Sequence, residues 1–342
     1  MLYIRADGNA QIGTGHVMRC LSIADAVKKL GGEVAFIVAD NHMSSLLSER
    51  GYNVICLDSI WDNMEEEAGK MVSLIKAHSI KKLLIDSYFV THGYLQRLCD
   101  LTYVTYVDDL NAFRYPCAML INYNCYADKF GYPIHYPGTK LLLGCEYAPL
   151  REEFQNLPSR VLRKKAQSVL VTAGGADPYN AAEKLVRNAK MSCDFKPLEF
   201  HVVAGRLNPH IGGLERLARE YDGIVIHRDV QNMSRLMLDC DVAVSAGGST
   251  LYELCACGTP AVAFVLADNQ IAGVSSFVDD GYMINAGDIR SEEELCLNRM
   301  LDGLRNLASD YDLRRSLARQ GQALVDGKGA LRIAEMLTHF GG

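Results

Sequence analysis

Short apolar runs alternate with stretches of helical periodicity along almost the whole chain, which is the pattern of repeated strand–helix units on a parallel sheet. Residues 1–6 read as a strand and Gly8 to Gly15 as a glycine loop. A helix over residues 16–30 follows, because Val17, Cys20, Leu21, Ala24, Val27 and Leu30 share one face before Gly31-Gly32 stops it. Strands at 34–38 and 54–57 flank a helix at 44–50. Residues 65–78 are helical, and 82–86 and 103–108 are strands. Residues 115–143, rich in Tyr, Pro and Asn, read as irregular and close on apolar Leu141 to Leu143. At Pro149 the composition turns charged. After it a second series begins: a strand at 168–172, the Gly174-Gly175 turn, and a helix from Pro178. Strands at 199–204 and 224–227, a helix at 230–238 and a strand at 241–245 lead into Gly247-Gly248-Ser249-Thr250 and a helix to Cys257. Gly258-Thr259-Pro260 ends that helix, 261–266 is a strand, and 291–340 is helical. The expected architecture is α/β: a domain over 1–148, a connection over 149–166, a domain over 167–325 and a terminal helix over 326–342. Two such domains facing each other make a cleft at the carboxyl ends of their strands.

Composition narrows the function classes. With 342 residues, 35 basic and 41 acidic side chains and a net charge of −6, the chain lacks the clustered basic surface that nucleic acid requires. The run from Arg160 to Lys165 reads as a solvated linker. The longest apolar stretch, 260–267, is far short of the ~20 residues that span a bilayer. Residues 1–7 are strand-like, with no basic n-region or cleavage site, so a cytoplasmic location is expected. Eleven cysteines are scattered without a C-x-x-C, and Cys20, Cys56, Cys240 and Cys255 fall inside apolar patterns, so buried reduced thiols are expected.

Two motifs carry candidate chemistry. The first is Gly13-Thr14-Gly15-His16 with Arg19, preceded by Asp7. Glycines at a strand-to-helix turn let a ligand reach backbone N–H groups, and a helix N-terminus favours negative charge. There the dipole also favours a neutral imidazole, the form a general base needs. Arg19, one turn on, meets a phosphate or pairs with Asp7. The alternative is a tight turn with a surface histidine and a structural Asp7–Arg19 pair. The spacing is neither G-x-G-x-x-G nor a P-loop with its Lys, which disfavours dinucleotide binding and ATP hydrolysis.

The second motif is Gly247-Gly248-Ser249-Thr250 with Glu253. It makes another anion cradle, with a carboxylate one turn inside that suits ribose hydroxyls. The competing reading is a capping box between Thr250 and Glu253. Asn269-Gln270, just past a strand, is either an amide pair for sugar or pyrophosphate or ordinary turn chemistry. Asp86-Ser87-Tyr88 invites the same two readings. Asp108-Asp109 reads as a helix N-cap and a solvated acid, since no His stands at ligand spacing to make it a metal site.

The second motif resembles the donor-nucleotide signature of GT-B proteins, the fold of the N-acetylglucosaminyl transferase that completes lipid II. The first resembles the UDP-sugar hydrolases of pseudaminic acid synthesis (PseG-like), and so do Asp86-Ser87-Tyr88, Asp108-Asp109-Leu110, Tyr147-Ala148-Pro149-Leu150-Arg151-x-Glu153-Phe154 and Asn269-Gln270. The likeness runs from Arg5 to about Gly281. A Cys- and Tyr-rich segment over residues 122–136 departs from that pattern and bears on substrate fit. The resemblance implies the GT-B fold, two Rossmann-like domains across a cleft. It implies release of 2,4-diacetamido-2,4,6-trideoxy-L-altrose from UDP by water attack at the anomeric carbon with inversion, feeding flagellin glycosylation. His16 would activate the water, and Asp7 would orient His16. Gly13, Gly15, Arg19, Tyr88, Gly247, Gly248, Ser249, Thr250, Glu253, Asn269 and Gln270 would hold UDP and sugar. No cofactor, metal, nucleic acid or membrane partner is implied, and a monomer or weak dimer is expected. A GT-B transferase using the same UDP site, and a non-catalytic nucleotide-sugar binding module, remain the alternatives.

Overall fold

The computed structural model describes residues 1–9, 11–205 and 208–339. The chain forms two compact units, Met1–Glu152 with Lys328–Gly342, and Glu153–Gly327. In the first unit seven strands make one parallel sheet: β1 (Leu2–Ala6), β2 (Val34–Val38), β3 (Asn53–Cys56), β4 (Lys82–Asp86), β5 (Tyr103–Val107), β6 (Met119–Asn122) and β7 (Lys140–Leu143). Their order is β3-β2-β1-β4-β5-β6-β7. The direction of winding switches between β1 and β4, whose register sets Ala6 beside Asp86. The carboxyl ends of strands at such a switch are where open parallel sheets take ligands. All five residues of β1 and of β2 are buried, the continuous burial of strands covered on both faces.

The second unit repeats the plan with six strands: β8 (Ser168–Thr172), β9 (Glu199–Ala204), β10 (Ile224–Arg228), β11 (Val242–Ala246), β12 (Ala261–Val265) and β13 (Ile284–Asp288). They lie in the order β10-β9-β8-β11-β12-β13, again all parallel, with the switch between β8 and β11. Val169, Val171, Phe200, Val202, Val244 and Phe264 fill the core of that sheet.

Three expectations change. Residues 115–143 are not irregular throughout, for they contribute β6 and β7. The four residues of β6 are too short a run to show a period, and pairing with β5 and β7 supplies the order the pattern lacks. The basic run is only partly a solvated linker: Arg163, Lys164 and Lys165 are exposed, but the run is tied down along its length. Arg160 donates to the carbonyls of Leu238 and Cys240, Arg163 pairs with Asp241 at 2.9 Å, and buried Arg314 donates at 3.0 Å to the carbonyls of Arg163 and Lys164. The terminal helix Gly329–His339 returns to the first unit, burying Ile333, Ala334 and Leu337. All eleven cysteines are free thiols, six of them buried and Cys193 exposed. No helix among the described residues is long and apolar enough to cross a membrane.

Candidate active site

In the first unit β1 ends at Ala6 and the chain turns through Asn9 and Gly13 before the helix Gly15–Lys29. The Asn9 N–H meets the Gly13 carbonyl at 3.1 Å, and the Asn9 side-chain oxygen accepts from the N–H of Gln11 and of Ile12 at 2.8 and 3.0 Å. Gly13 closes this turn at φ +72°, a left-handed conformation that costs a side chain. Thr14 holds the N-cap position, so His16 is the second residue of the helix, and it is only 7% exposed. A surface histidine was the alternative. The side chain is instead buried beside Asp86.

His16 Nδ1 lies 2.7 Å from Asp86 Oδ1. Arg19 grips the same carboxylate, Nε to Oδ2 at 2.5 Å and Nη2 to Oδ1 at 2.6 Å. Its Nη1 donates to Asp109 Oδ2 at 2.8 Å and to the Tyr123 hydroxyl at 2.7 Å. Asp109 also accepts from the Tyr88 hydroxyl and from Asn124 Nδ2, both at 2.8 Å. The Tyr88 ring stands edge-on to the imidazole with centroids 4.5 Å apart. Burial by itself would raise the Asp86 carboxyl, but the Arg19 guanidinium and His16 hold it well below the usual carboxylate range. An ionised carboxylate can only accept, so Nδ1 carries a proton, and in the neutral ring the lone pair is on Nε2.

Asp7 does not take the part expected of it. It pairs with Arg5 and accepts the Ala39 N–H at 2.8 Å, while Arg5 makes a two-pronged pair with Glu67 at 2.8 Å on each prong. The reason is strand alternation. Arg5 and Asp7 share one face of the sheet, Ala6 takes the other, and Ala6 lies beside Asp86. Asp86 therefore orients His16, the part expected of Asp7, and receives Arg19, for which Asp7 was one of two expected partners. Burial pushes the Asp7 carboxyl up against the pull of Arg5. Arg19, read as a phosphate contact, is 9% exposed and directs its donors at protein partners. Asp108 is no solvated acid. It is fully buried and accepts from the N–H of Leu110 and of Asn111 and from the hydroxyls of Tyr115 and Tyr132. Tyr123 and Asn124 were missed; both lie in the Tyr-rich segment after β6, whose aromatic density was the available signal.

In the second unit β11 runs into Gly247 and Gly248, and the helix Ser249–Cys257 starts there. A Cβ on Gly247 would stand 2.8 Å from Gln270 Cβ and from Val274 Cγ2, so only glycine lets the turn meet the chain after β12. Gly248 has φ +115°. Because Gly248 holds the N-cap position, Thr250 is already inside the helix and cannot cap it, which removes the capping box. Glu253 is half-buried in the following turn. Gly248 and Ser249 are exposed, at a helix start whose first N–H groups have no helical acceptor. Asn269 is exposed, whereas Gln270 turns its side-chain oxygen back to the Leu266 N–H at 2.8 Å. Among the described residues no group of three or more His, Cys, Asp or Glu is placed to hold a metal ion.

Two parallel sheets of this strand order, each with a glycine turn into a helix at its switch strand, define a protein of the GT-B fold. MurG of Acinetobacter baumannii matches it with a TM-score of 0.69 at 13% identity, over 99% of each chain. No family model matches the sequence. Spore coat polysaccharide biosynthesis protein SpsG of Bacillus subtilis is 25% identical over 339 residues, 98% of this chain and 96% of that one. The UDP-2,4-diacetamido-2,4,6-trideoxy-beta-L-altropyranose hydrolase of Campylobacter jejuni is 24% identical over 284 residues, 82% of this chain and 97% of that one. The chain thus has the GT-B fold and resembles, in sequence, a PseG-type hydrolase.

Proposed function

We propose that this protein hydrolyses a UDP-linked 2,4-diacetamido-2,4,6-trideoxy hexose to free sugar and UDP, with water as the nucleophile. The observation that carries the reading is the His16–Asp86 hydrogen bond at a helix N-terminus, 2.7 Å long and sealed by Arg19. Asp86 holds the Nδ1–H tautomer, and Nε2 takes a proton as water attacks the anomeric carbon. The C1–O bond to the diphosphate breaks, its electrons leave with UDP, and the configuration inverts. Glycosidases need a second carboxylate because a sugar alkoxide leaves poorly. UDP is a stable anion, and backbone N–H groups at Gly248, Ser249 and Thr250 with the helix dipole would stabilise its developing charge. Glu253 would accept the ribose hydroxyls, with Asn269 and Gln270 near the pyrophosphate or sugar. Tyr88 and the turn through Gly13 and Gly15 would line the sugar's side.

A second reading, transfer of the sugar to an acceptor, is favoured by the sequence likeness, 25% identity over 285 residues, to an N-acetylglucosamine transferase of Synechococcus sp.. Purified protein incubated with a panel of UDP-sugars in water enriched in heavy oxygen separates the two. Hydrolysis releases UDP without any acceptor and leaves the label on C1 of the sugar. Release that waits for an added acceptor, with no label on C1, would establish transfer instead.

A further inference from the structure

Three formal charges follow His16 in a row: the Asp86 carboxylate, the Arg19 guanidinium and the Asp109 carboxylate. They come from three elements, since Asp86 ends β4, Arg19 lies one turn along the helix from His16, and Asp109 follows β5. Arg19 Nη2 stands 3.1 Å from His16 Nδ1 and donates to the same Asp86 oxygen that His16 contacts. The other titratable groups packed on this row are Tyr88 against His16, Cys20 with its thiol 3.5 Å from Asp86 Oδ2, and Tyr123 on Arg19. Burial pushes the Tyr88 hydroxyl and the Cys20 thiol far up and Tyr123 up to about 12, so these three stay uncharged across the working range. The charges that act on the imidazole are therefore the alternating three.

Their signs give each a distinct effect. A carboxylate near an imidazole favours its protonated form, and a nearby guanidinium disfavours it. Arg19 acts against the pull of Asp86 while leaving the hydrogen bond that fixes the tautomer. Asp109 in turn tempers Arg19, and Asn124 and Tyr123, from the segment that departs from the family pattern, hold that pair in place. We propose that Arg19 and Asp109 are positioning residues for the hydrolysis, acting through Asp86 to set the pH at which His16 becomes free to accept a proton. The proposal rests on the hydrolase reading above.

The test is the pH dependence of kcat in the full-length protein for wild type, Arg19→Gln, Arg19→Lys, Asp109→Asn and His16→Asn, with UDP affinity measured in parallel. Arg19→Gln should move the acid limb to higher pH by about one unit, and Asp109→Asn should move it the other way by less. Arg19→Lys keeps the charge and should leave the limb near its wild-type position. UDP affinity should not move. A purely structural ion pair has no reason to displace the limb in opposite directions, so limbs that stay together or shift the same way overturn the proposal. Arg19→Gln leaves two buried carboxylates without their cation. Should it fail to fold, Asp109→Asn decides alone, and a limb that is unmoved or raised is fatal. An inactive His16→Asn beside an unmoved Asp109→Asn limb rejects this proposal and spares the hydrolase. A His16→Asn variant with near-normal kcat and its acid limb intact rejects the base assignment itself, and this proposal with it.

Discussion

At the scale of single residues, the proposed chemistry concentrates on His16 and the carboxylate that orients it. General-base catalysis is worth ~10²–10⁴-fold, so His16→Asn should lower kcat by about that factor and abolish the acid limb of the pH profile. Binding of UDP, measured by calorimetry, should barely change, because the proposed nucleotide contacts lie in the other unit. Asp86→Asn should cost a comparable factor, because an amide no longer selects the tautomer that leaves Nε2 free. Asp86 also carries a signature in stability. Its folded-state carboxyl lies below the unfolded value, so its contribution is complete above about pH 4 and is lost as pH falls further. Thermal melts below about pH 4 should therefore fall off less steeply for Asp86→Asn than for wild type, and equal slopes would contradict the assignment. The glycine turn with its histidine was legible in the sequence. Its orienting partner was not, because Asp7 and Asp86 are equally plausible strand-end acids until the Ala6–Asp86 register and strand alternation choose between them.

At the scale of elements, the boundary of one helix decides between two roles for a carboxylate. Thr250 and Glu253 match a capping box in spacing, and spacing cannot tell which residue holds the N-cap position. The helix starts at Ser249 under a glycine cap, so Glu253 lies a full turn inside rather than at the mouth. Glu253→Gln should then weaken UDP binding by ~1.5–3 kcal/mol, the scale of a charge-assisted hydrogen bond, with little change in melting temperature. A fall in Tm with unchanged UDP affinity would return the residue to a structural role. Both glycine turns were readable because glycine leaves a chemical trace wherever the backbone needs φ > 0 or a close neighbour. Strand β6 left none. Four residues between Cys117-Ala118 and an aromatic segment show no period, yet they place Tyr123 and Asn124 on the Arg19–Asp109 pair.

At the scale of the whole molecule, the proposed scheme divides function between two units of similar plan, and each can be tested through the other's survival. The proposed scheme uses a histidine, backbone N–H groups and helix dipoles. Prolonged chelation should accordingly leave turnover intact, and loss with EDTA followed by rescue with Mg²⁺ or Mn²⁺ would argue for metal-assisted departure of UDP. A sharper test uses the path of the chain, which leaves the first unit at Glu152 and returns at Lys328. The helix Gly329–His339 packs against Gly15–Lys29, the helix that carries His16. Gly329 lets the start of that helix approach the chain at Ala148, since a Cβ would stand 2.2 Å from the Ala148 carbonyl oxygen. Lys82 Nζ donates to the carbonyls of Leu337 and Thr338 at 2.8 and 2.7 Å. Burial of Ile333, Ala334 and Leu337 is worth several kcal/mol at ~1.5–3 kcal/mol for each large apolar side chain. Truncation after Gly327 removes all of this from the first unit and leaves Glu153–Gly327 complete. The shortened chain should lose hydrolysis and melt earlier, while UDP binding by calorimetry stays near the full-length value. A truncated protein that keeps wild-type turnover would show that the returning helix does not support His16. One that loses UDP affinity as well would show that the second unit does not hold the nucleotide unaided.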